Sequence, residues 1–444
     1  MKELNQCRAD RLKEMRLLAR TWMLLAILLV SARTASSQDF RLPDGRGKDL
    51  VERHCMRCHD AQKLAGPDGG HWPAFGPGKS PEEWQRVMTF MGTYGLTLSK
   101  EEVPIVTAYL TKALAGPARP TGVRMAGPIE ATIREWKVTP GTRPHDPAVA
   151  PGGAVWYTGQ ASSRLGRLDP STGEVRNYPL RPDNTKLPYG VGPHGLVADK
   201  DGYIWYTGQL DGHLGKLDPK TGVVTKYKIP NPSAGGPHTP IFDQKGTLWF
   251  TMQQGNMVGR LTPATGEIKL VTMPTANSEP YGLVINSKGV PFFTQLMGNR
   301  IGSIDPVTMQ VREYFLGEGT GPRRLAVMPD DIIYYTDYAR GTLGRLDPAT
   351  GRTKEWTSPS GARSQPYAIA ASGTIVWYVE GNANPNMLVR FDPATEKFQT
   401  WPILPSGGGV VRHMVVGPDG SLWLADSEVD AITKVEIKAA TGTR

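Results

Sequence analysis

Cysteine is scarce. The 444-residue chain has three, and two of them, Cys55 and Cys58, stand three positions apart. No disulfide framework is possible on that count, and no second cysteine pair exists to complete a four-thiolate zinc site. Aromatic residues are also few, at 8%, beside 51 glycines and 38 prolines. The balance points to a chain rich in turns, while its 39% hydrophobic content excludes a disordered one. The formal charge is +9, but no basic cluster beyond the N-terminus is dense enough to make a phosphate-binding stripe, so no nucleic-acid partner is expected.

Long apolar runs are missing too. The stretch Thr21 to Val30 is too short to span a bilayer. Lys2, Arg8, Arg11, Lys13, Arg16 and Arg20 precede it and "SARTASSQ" follows, the layout of a signal peptide with cleavage expected after Ser37. An uncleaved anchor is the alternative. On the first reading residues 1–37 are removed, Cys7 is lost with them, and the protein is periplasmic or secreted with no remaining transmembrane span.

What is present begins at Cys55-Met56-Arg57-Cys58-His59. C-x-x-C-H is the spacing at which two thiols add to the vinyl groups of one haem while the adjacent imidazole ligates its iron. Covalent haem c on Cys55, Cys58 and His59 is therefore expected. Ser80 with Glu83 and Ser99 with Glu102 read as capping boxes opening two helices, the first bearing Met88 and Met91. With these helices, the region resembles a small class I-like cytochrome c domain, placed at residues 38–115. That resemblance makes His59 the proximal iron ligand and Met91 the distal candidate, with His71 its rival.

A Pro- and Gly-rich linker, residues 116–128, leads into a repeat. Copies start at Pro144, Pro193, Pro237, Pro280, Pro322 and Pro366, with a shorter one matched at Arg412, and the period is 42 to 49 residues. Each copy holds four short β-prone runs. Asp-Pro-x-Thr-Gly turns at Asp169, Asp218 and Asp347, with degenerate forms at Thr262, Asp305 and Asp392, join the third run to the fourth. The pattern predicts an all-β seven-bladed β-propeller of four-stranded blades over residues 129–438, preceded by the small all-α domain. The last copy lacks a fourth strand, and "ATIREWKVTP" from Ala131 supplies one, closing the ring.

In that ring the start of each innermost strand and the end of each second strand should meet at one mouth. The first set reads His145, His194, His238, Tyr281, Arg323, Tyr367, His413. The second reads Gly159, Gly208, Met252, Gln295, Asp337, Glu380, Asp426, with Gln160, Gln209, Gln253 and Tyr338 one further on. Imidazoles, amides and carboxylates converging on a funnel suit ligand or metal binding. Hydrogen bonding between blades is the plainer use of such histidines, and a transition metal on His145, His194 and His238 is a further possibility.

Pro-His-Gly-Leu, Asp-Gly-x-Ile-Trp-Tyr-Thr and Leu-Gly-Arg-Leu-Asp-Pro-x-Thr-Gly, recurring blade by blade, resemble the virginiamycin B lyase (streptogramin lyase) family from Ile129 to Ile437. The resemblance implies a histidine base in a Mg2+-assisted elimination that opens the ester of a cyclic depsipeptide. That base falls on His413. The family's glutamates fall on Val411 and Ser427 and the preceding blade's histidine on Tyr367, which leaves Asp426, Glu428 or Glu380 as replacement ligands for Mg2+ or another divalent metal. Three functions follow as expectations. The first is an exported mono-haem redox protein whose propeller binds a small molecule or a periplasmic redox partner. The second is a carbon–oxygen lyase working on His413 and Asp426. The third is a non-catalytic propeller scaffold.

Overall fold

The computed structural model describes residues 41–56, 78–92, 96–183, 190–231 and 235–439. The expected leader, Cys58, His59 and His71 lie outside them. The chain divides into two compact units between residues 77 and 78. In the first, helix α1 (Lys48–His54) buries Leu50 and Val51 and ends where Cys55 donates its backbone N–H to Val51. No helix among the described residues is long and apolar enough to cross a membrane.

The second unit opens with α2 (Pro81–Gly92) and α3 (Glu102–Ala113). Both capping boxes form: Ser80 N–H donates to Glu83 Oε2 at 2.8 Å and Ser99 N–H to Glu102 Oε2 at 2.8 Å, each serine hydroxyl accepting the return bond. Met88 is a packed core residue at 6% exposure, whereas Met91 is only partly buried. The linker is anchored to the propeller. Thr400 Oγ1 accepts from the Met125 N–H at 2.7 Å and donates to the Val123 carbonyl at 2.6 Å. Arg119 donates to Glu83 at 3.0 Å, to the Asn382 and Ala383 carbonyls and to Asn386.

Seven four-stranded antiparallel sheets follow. Ile129–Lys137 pairs with Ala431–Ala439 along its whole length, so the ring closes with the outermost strand of blade seven taken from the propeller's N-terminal end. The pairing removes the exposed edge that an unfinished blade would present. At the turns, Asp169 Oδ1 caps the Ser171 N–H at 2.9 Å while Gly173 takes φ +78°, which an L side chain would strain.

Six of the seven second strands are buried along their full length in the five-residue pattern of "VWYTG", because neighbouring blades cover both faces, and in blade six only Ile375 is less than fully buried. The core lies between blades: Trp156 and Leu165 of blade one pack with Leu196, Ile204 and Tyr206 of blade two. Each innermost strand carries a register shift after its first residue. That bulge takes a backbone N–H out of the ladder. In blades one to five the threonine near the end of the second strand takes it up and also binds the next blade. Thr158 Oγ1 accepts from Asp146 N–H at 3.0 Å and donates to the His194 carbonyl at 2.7 Å. Thr207, Thr251, Thr294 and Thr336 repeat this toward His238, Tyr281, Arg323 and Tyr367. In blades one to five one side chain thus fixes the backbone of the residue facing the axis in the next, whereas blades six and seven carry Val379 and Ala425 at that position.

Candidate functional site: a collar on the propeller axis

The second side chains of the innermost strands form a collar, five of them held through their backbone by these threonines. His145, His194, His238, Tyr281, Arg323, Tyr367 and Arg412 are each 4% exposed or less. Successive ring centroids lie 3.7 Å (His145–His194), 3.7 Å (His194–His238) and 3.9 Å (His238–Tyr281) apart, tilted by 46°, 41° and 48°. Each step is close to one-seventh of a turn, so the rings stand as spokes. Tyr281 and Tyr367 share a hydrogen bond between their hydroxyls, and the Arg323 guanidinium sits 3.9 Å over the Tyr367 ring and 4.3 Å over Tyr338.

The seventh spoke is Arg412, not His413 as expected. Val411 pairs with Asp426 as Pro144 pairs with Gly159, which puts Arg412 in register with His145 and His413 one residue further on. The "Arg-His" step resembles the "Pro-His" of other blades, but Val411 occupies the proline position.

One position along from the spokes, the blades read Asp146, Gly195, Thr239, Gly282, Arg324, Ala368, His413. The column is small or apolar except where Asp146, Arg324 and His413 meet. Asp146 Oδ1 accepts from Arg324 Nη2 at 2.7 Å across the axis and lies 2.8 Å from His145 Nδ1, while its Oδ2 is 3.5 Å from His413 Nδ1. Burial would raise the Asp146 carboxyl, but Arg324 and the two imidazoles hold it well below the usual carboxylate range. Burial, aided by the Arg324 charge, pushes His413 down to about 3. The His413 side chain is 22% exposed, so it is neutral and reachable.

The carboxylates of the second expected set do not join this centre. Asp426 accepts from Thr433 within its own blade, and burial pushes it up to about 8. The imidazole at His413 thus meets Asp146 rather than Asp426. Asp337 takes Arg340 at 2.6 Å and the Gly321 N–H at 3.0 Å, and Glu380 takes the Ser360 N–H at 2.7 Å. Gln160 and Gln209 pair with each other at 3.2 Å, and Gln253 with Glu279 at 2.9 Å. These contacts tie the mouth loops together instead of lining a funnel.

Nor does the donor set suit a hard divalent cation such as Mg2+. Ligand atoms of His145, Asp146 and His194 lie within 4.8 Å of one another. Yet Asp146 already serves His145 and Arg324, and His238 Nδ1 is 2.8 Å from Thr239 Oγ1. Arg323, Arg324 and Arg412 supply three guanidiniums close by, and Val411 and Ser427 offer no carboxylate. A hard cation needs several anionic oxygens, which this centre lacks. Asp146 and Arg324 were missed from sequence, and Arg412 was matched to the repeat but not read as the seventh spoke. For Asp146 and Arg324, charged side chains in a column of otherwise small ones were the available signal.

Comparison with protein families matches residues 124–320 to the virginiamycin B lyase family. Among solved structures, a streptogramin B lyase is 25% identical, with a TM-score of 0.62 over 69% of this chain and 98% of that one. A catalytically inactive virginiamycin B lyase variant from Staphylococcus aureus, with quinupristin, is 25% identical with a TM-score of 0.61, over 69% and 99%. The hydrazine synthase of Kuenenia stuttgartiensis is similar in fold alone, at 13% identity and a TM-score of 0.56 over 68% and 97%. A search of curated proteins found no match.

Proposed function

We propose that the propeller is a carbon–oxygen lyase of the streptogramin lyase type, which opens a cyclic ester by elimination. The observation that carries this reading is the His413–Asp146 pair. His413 is the position at which the resembling family places its base, and here it is neutral, partly exposed and 3.5 Å from a buried carboxylate. In an elimination the base removes a proton from the carbon next to the one bearing the ester oxygen. The electron pair forms the new C=C bond, and the C–O bond breaks to release a carboxylate. His413 receives the proton, and Asp146 steadies the imidazolium that results. Arg324, which lowers the basicity of His413, also holds Asp146 in place. No step is assigned to Mg2+, because the residues present do not fit a hard cation.

The test is ring opening of a streptogramin B depsipeptide by full-length protein and by His413→Ala and Asp146→Asn. A loss of at least about a hundredfold in the first and a smaller loss in the second is expected, as general acid–base contributions are of that order. Equal rates in all three proteins would overturn the role of His413.

A second reading rests on Cys55-Met56-Arg57-Cys58-His59. We propose that this segment of an exported chain holds a covalent haem c that carries electrons to or from a redox partner, with residues 38–115 as its domain. Cys55 stands at the end of α1, where the chain leaves the helix. His59 and Met91 would hold the iron. Alkaline pyridine spectra of periplasmic protein should report one covalent haem that is lost in Cys55→Ala/Cys58→Ala, and Met91→Ala should abolish the weak sulfur-to-iron band of the oxidised form. An unchanged band would remove Met91.

A further inference from the structure

One position of the repeat changes character in a single blade. On the third strand, the residue that pairs with the large aromatic of the second strand is Arg167, Lys216, Arg260, Arg345, Arg390 or Lys434 in six blades. In blade four it is Ser303. Its partner is reduced as well, to Phe292 where five blades carry tryptophan and one carries Tyr334. Elsewhere the basic side chains lie along these rings and reach oxygen beyond them. Lys216 sits 5.3 Å over Trp205, Arg260 5.8 Å over Trp249 and Lys434 5.6 Å over Trp423. Arg260 donates to the Pro306 carbonyl in the turn of the next blade, and Lys434 pairs with Asp419 at 3.0 Å. Blade four supplies no cation from this position.

A cleft of about 540 Å³ opens there between blades four and five. Val290, Phe292 and Ile332 give it an apolar wall, and Ser303, 7% exposed, lines it with a hydroxyl that has no hydrogen-bond partner among the described residues. Pro348, the counterpart of Pro306 in blade five, also lines it. Its carbonyl accepts from the Tyr314 hydroxyl at 3.3 Å and keeps a second lone pair. Around the cleft Asp305, Asp330, Asp331 and Asp347 outnumber Lys288 and Arg312. The four carboxylates accept from backbone N–H groups and from Ser287, and none forms a salt bridge among the described residues.

We infer that this cleft binds an organic cation, a guanidinium or ammonium group on a short alkyl stem, in the place of the side chain that blade four omits. The stem lies against Phe292, while the charged group donates to the Pro348 carbonyl and is neutralised by the surrounding carboxylates. Ser303 Oγ offers a further acceptor. The cleft lies by the ends of innermost strands, whereas His413 lies near the start of one, so binding here is independent of the lyase reading.

Calorimetric titration of full-length protein with butylguanidinium, butylurea and guanidinium ion, all below denaturing concentration, tests this. Butylguanidinium should bind, and butylurea, its uncharged counterpart of similar shape, at least about tenfold more weakly, a difference near 1.4 kcal/mol. Guanidinium ion, which lacks the stem, should also bind more weakly. Ser303→Arg restores the residue type of the other blades and should abolish butylguanidinium binding without lowering the melting temperature. Should that variant fail to fold, Asp330→Asn/Asp347→Asn, which keeps an acceptor in each turn, should weaken butylguanidinium by about tenfold or more. A capped Gly-Arg-Gly peptide that binds as tightly as butylguanidinium would assign the cleft to an arginine side chain of a partner protein, and weaker binding would assign it to a free cation, either result supporting the site. Equal binding of butylurea and butylguanidinium would overturn the role of charge. Guanidinium ion binding as tightly as butylguanidinium would overturn the role of the apolar wall. Binding that survives in folded Ser303→Arg or undiminished in the double variant, or no binding by the unaltered protein, would overturn the site.

Discussion

Asp146 and Arg324 come from blades one and five, 178 residues apart, and meet across the propeller axis with Arg324 Nη2 donating to Asp146 Oδ1 at 2.7 Å. Both are nearly inaccessible, at 1% and 2% exposure. Removing one partner of a buried pair strands the other charge, at a cost of about 3–5 kcal/mol. Arg324→Met should lower stability by that amount in urea denaturation, and the double variant Asp146→Asn/Arg324→Met should recover part of the loss. A single variant as stable as the parent would show that the pair does not tie the ring.

Asp426 makes stability depend on pH in the alkaline direction. Burial raises its folded-state value to about 8, so between about pH 4 and pH 8 the folded state keeps a proton that the unfolded state has released. Its contribution is fully present below the unfolded value and is lost as pH rises through the folded one. Asp426→Asn should therefore gain on the parent protein as pH is raised from 5 to 8, by up to about 1.4 kcal/mol per pH unit. Parallel stability curves for the two proteins would contradict this.

The pH–rate profile separates His413 from an ordinary histidine. A base lowered to about 3 stays deprotonated at every mildly acidic pH. Initial kcat/KM for ring opening should then be flat from pH 5 to pH 8, whereas an imidazole near its ordinary value would lose rate below about 6.5. A break near 6.5 would assign the proton to another group or free His413 from the influence of Arg324.

Much of the ring was legible before the structure. The period, the Asp-Pro-x-Thr-Gly turns and the unfinished last repeat depend on local chemistry, and all three appear where expected. Six of the seven spokes were legible because a proline precedes each. The seventh was misplaced by one residue because Val411 replaces that proline. The second-strand carboxylates were misread because the pattern places a residue at the mouth but does not say which way it turns, and Asp337, Glu380 and Asp426 all turn into their own blades. The Asp146–Arg324 contact exists only once the ring has closed, and no local pattern encodes it.

Arg119 was likewise invisible in sequence, being one basic residue in a proline-rich linker. Its guanidinium joins α2, through Glu83, to the loop holding Asn382, Ala383 and Asn386. Arg119→Ala should raise amide exchange across residues 116–128 by about tenfold or more, as charge-assisted bonds contribute about 1.5–3 kcal/mol, while the blade cores exchange as before. Unaltered exchange in the linker would mean that the Thr400 contacts suffice alone.

The most direct test of the central claim is the mass of the product formed when full-length protein meets a streptogramin B depsipeptide with a metal chelator present. Elimination opens the ring without adding atoms. The account predicts a linear product of unchanged mass, separable by chromatography, formed as readily with chelator as without. A product heavier by one water, activity that vanishes with the chelator, or no opening at all would contradict it.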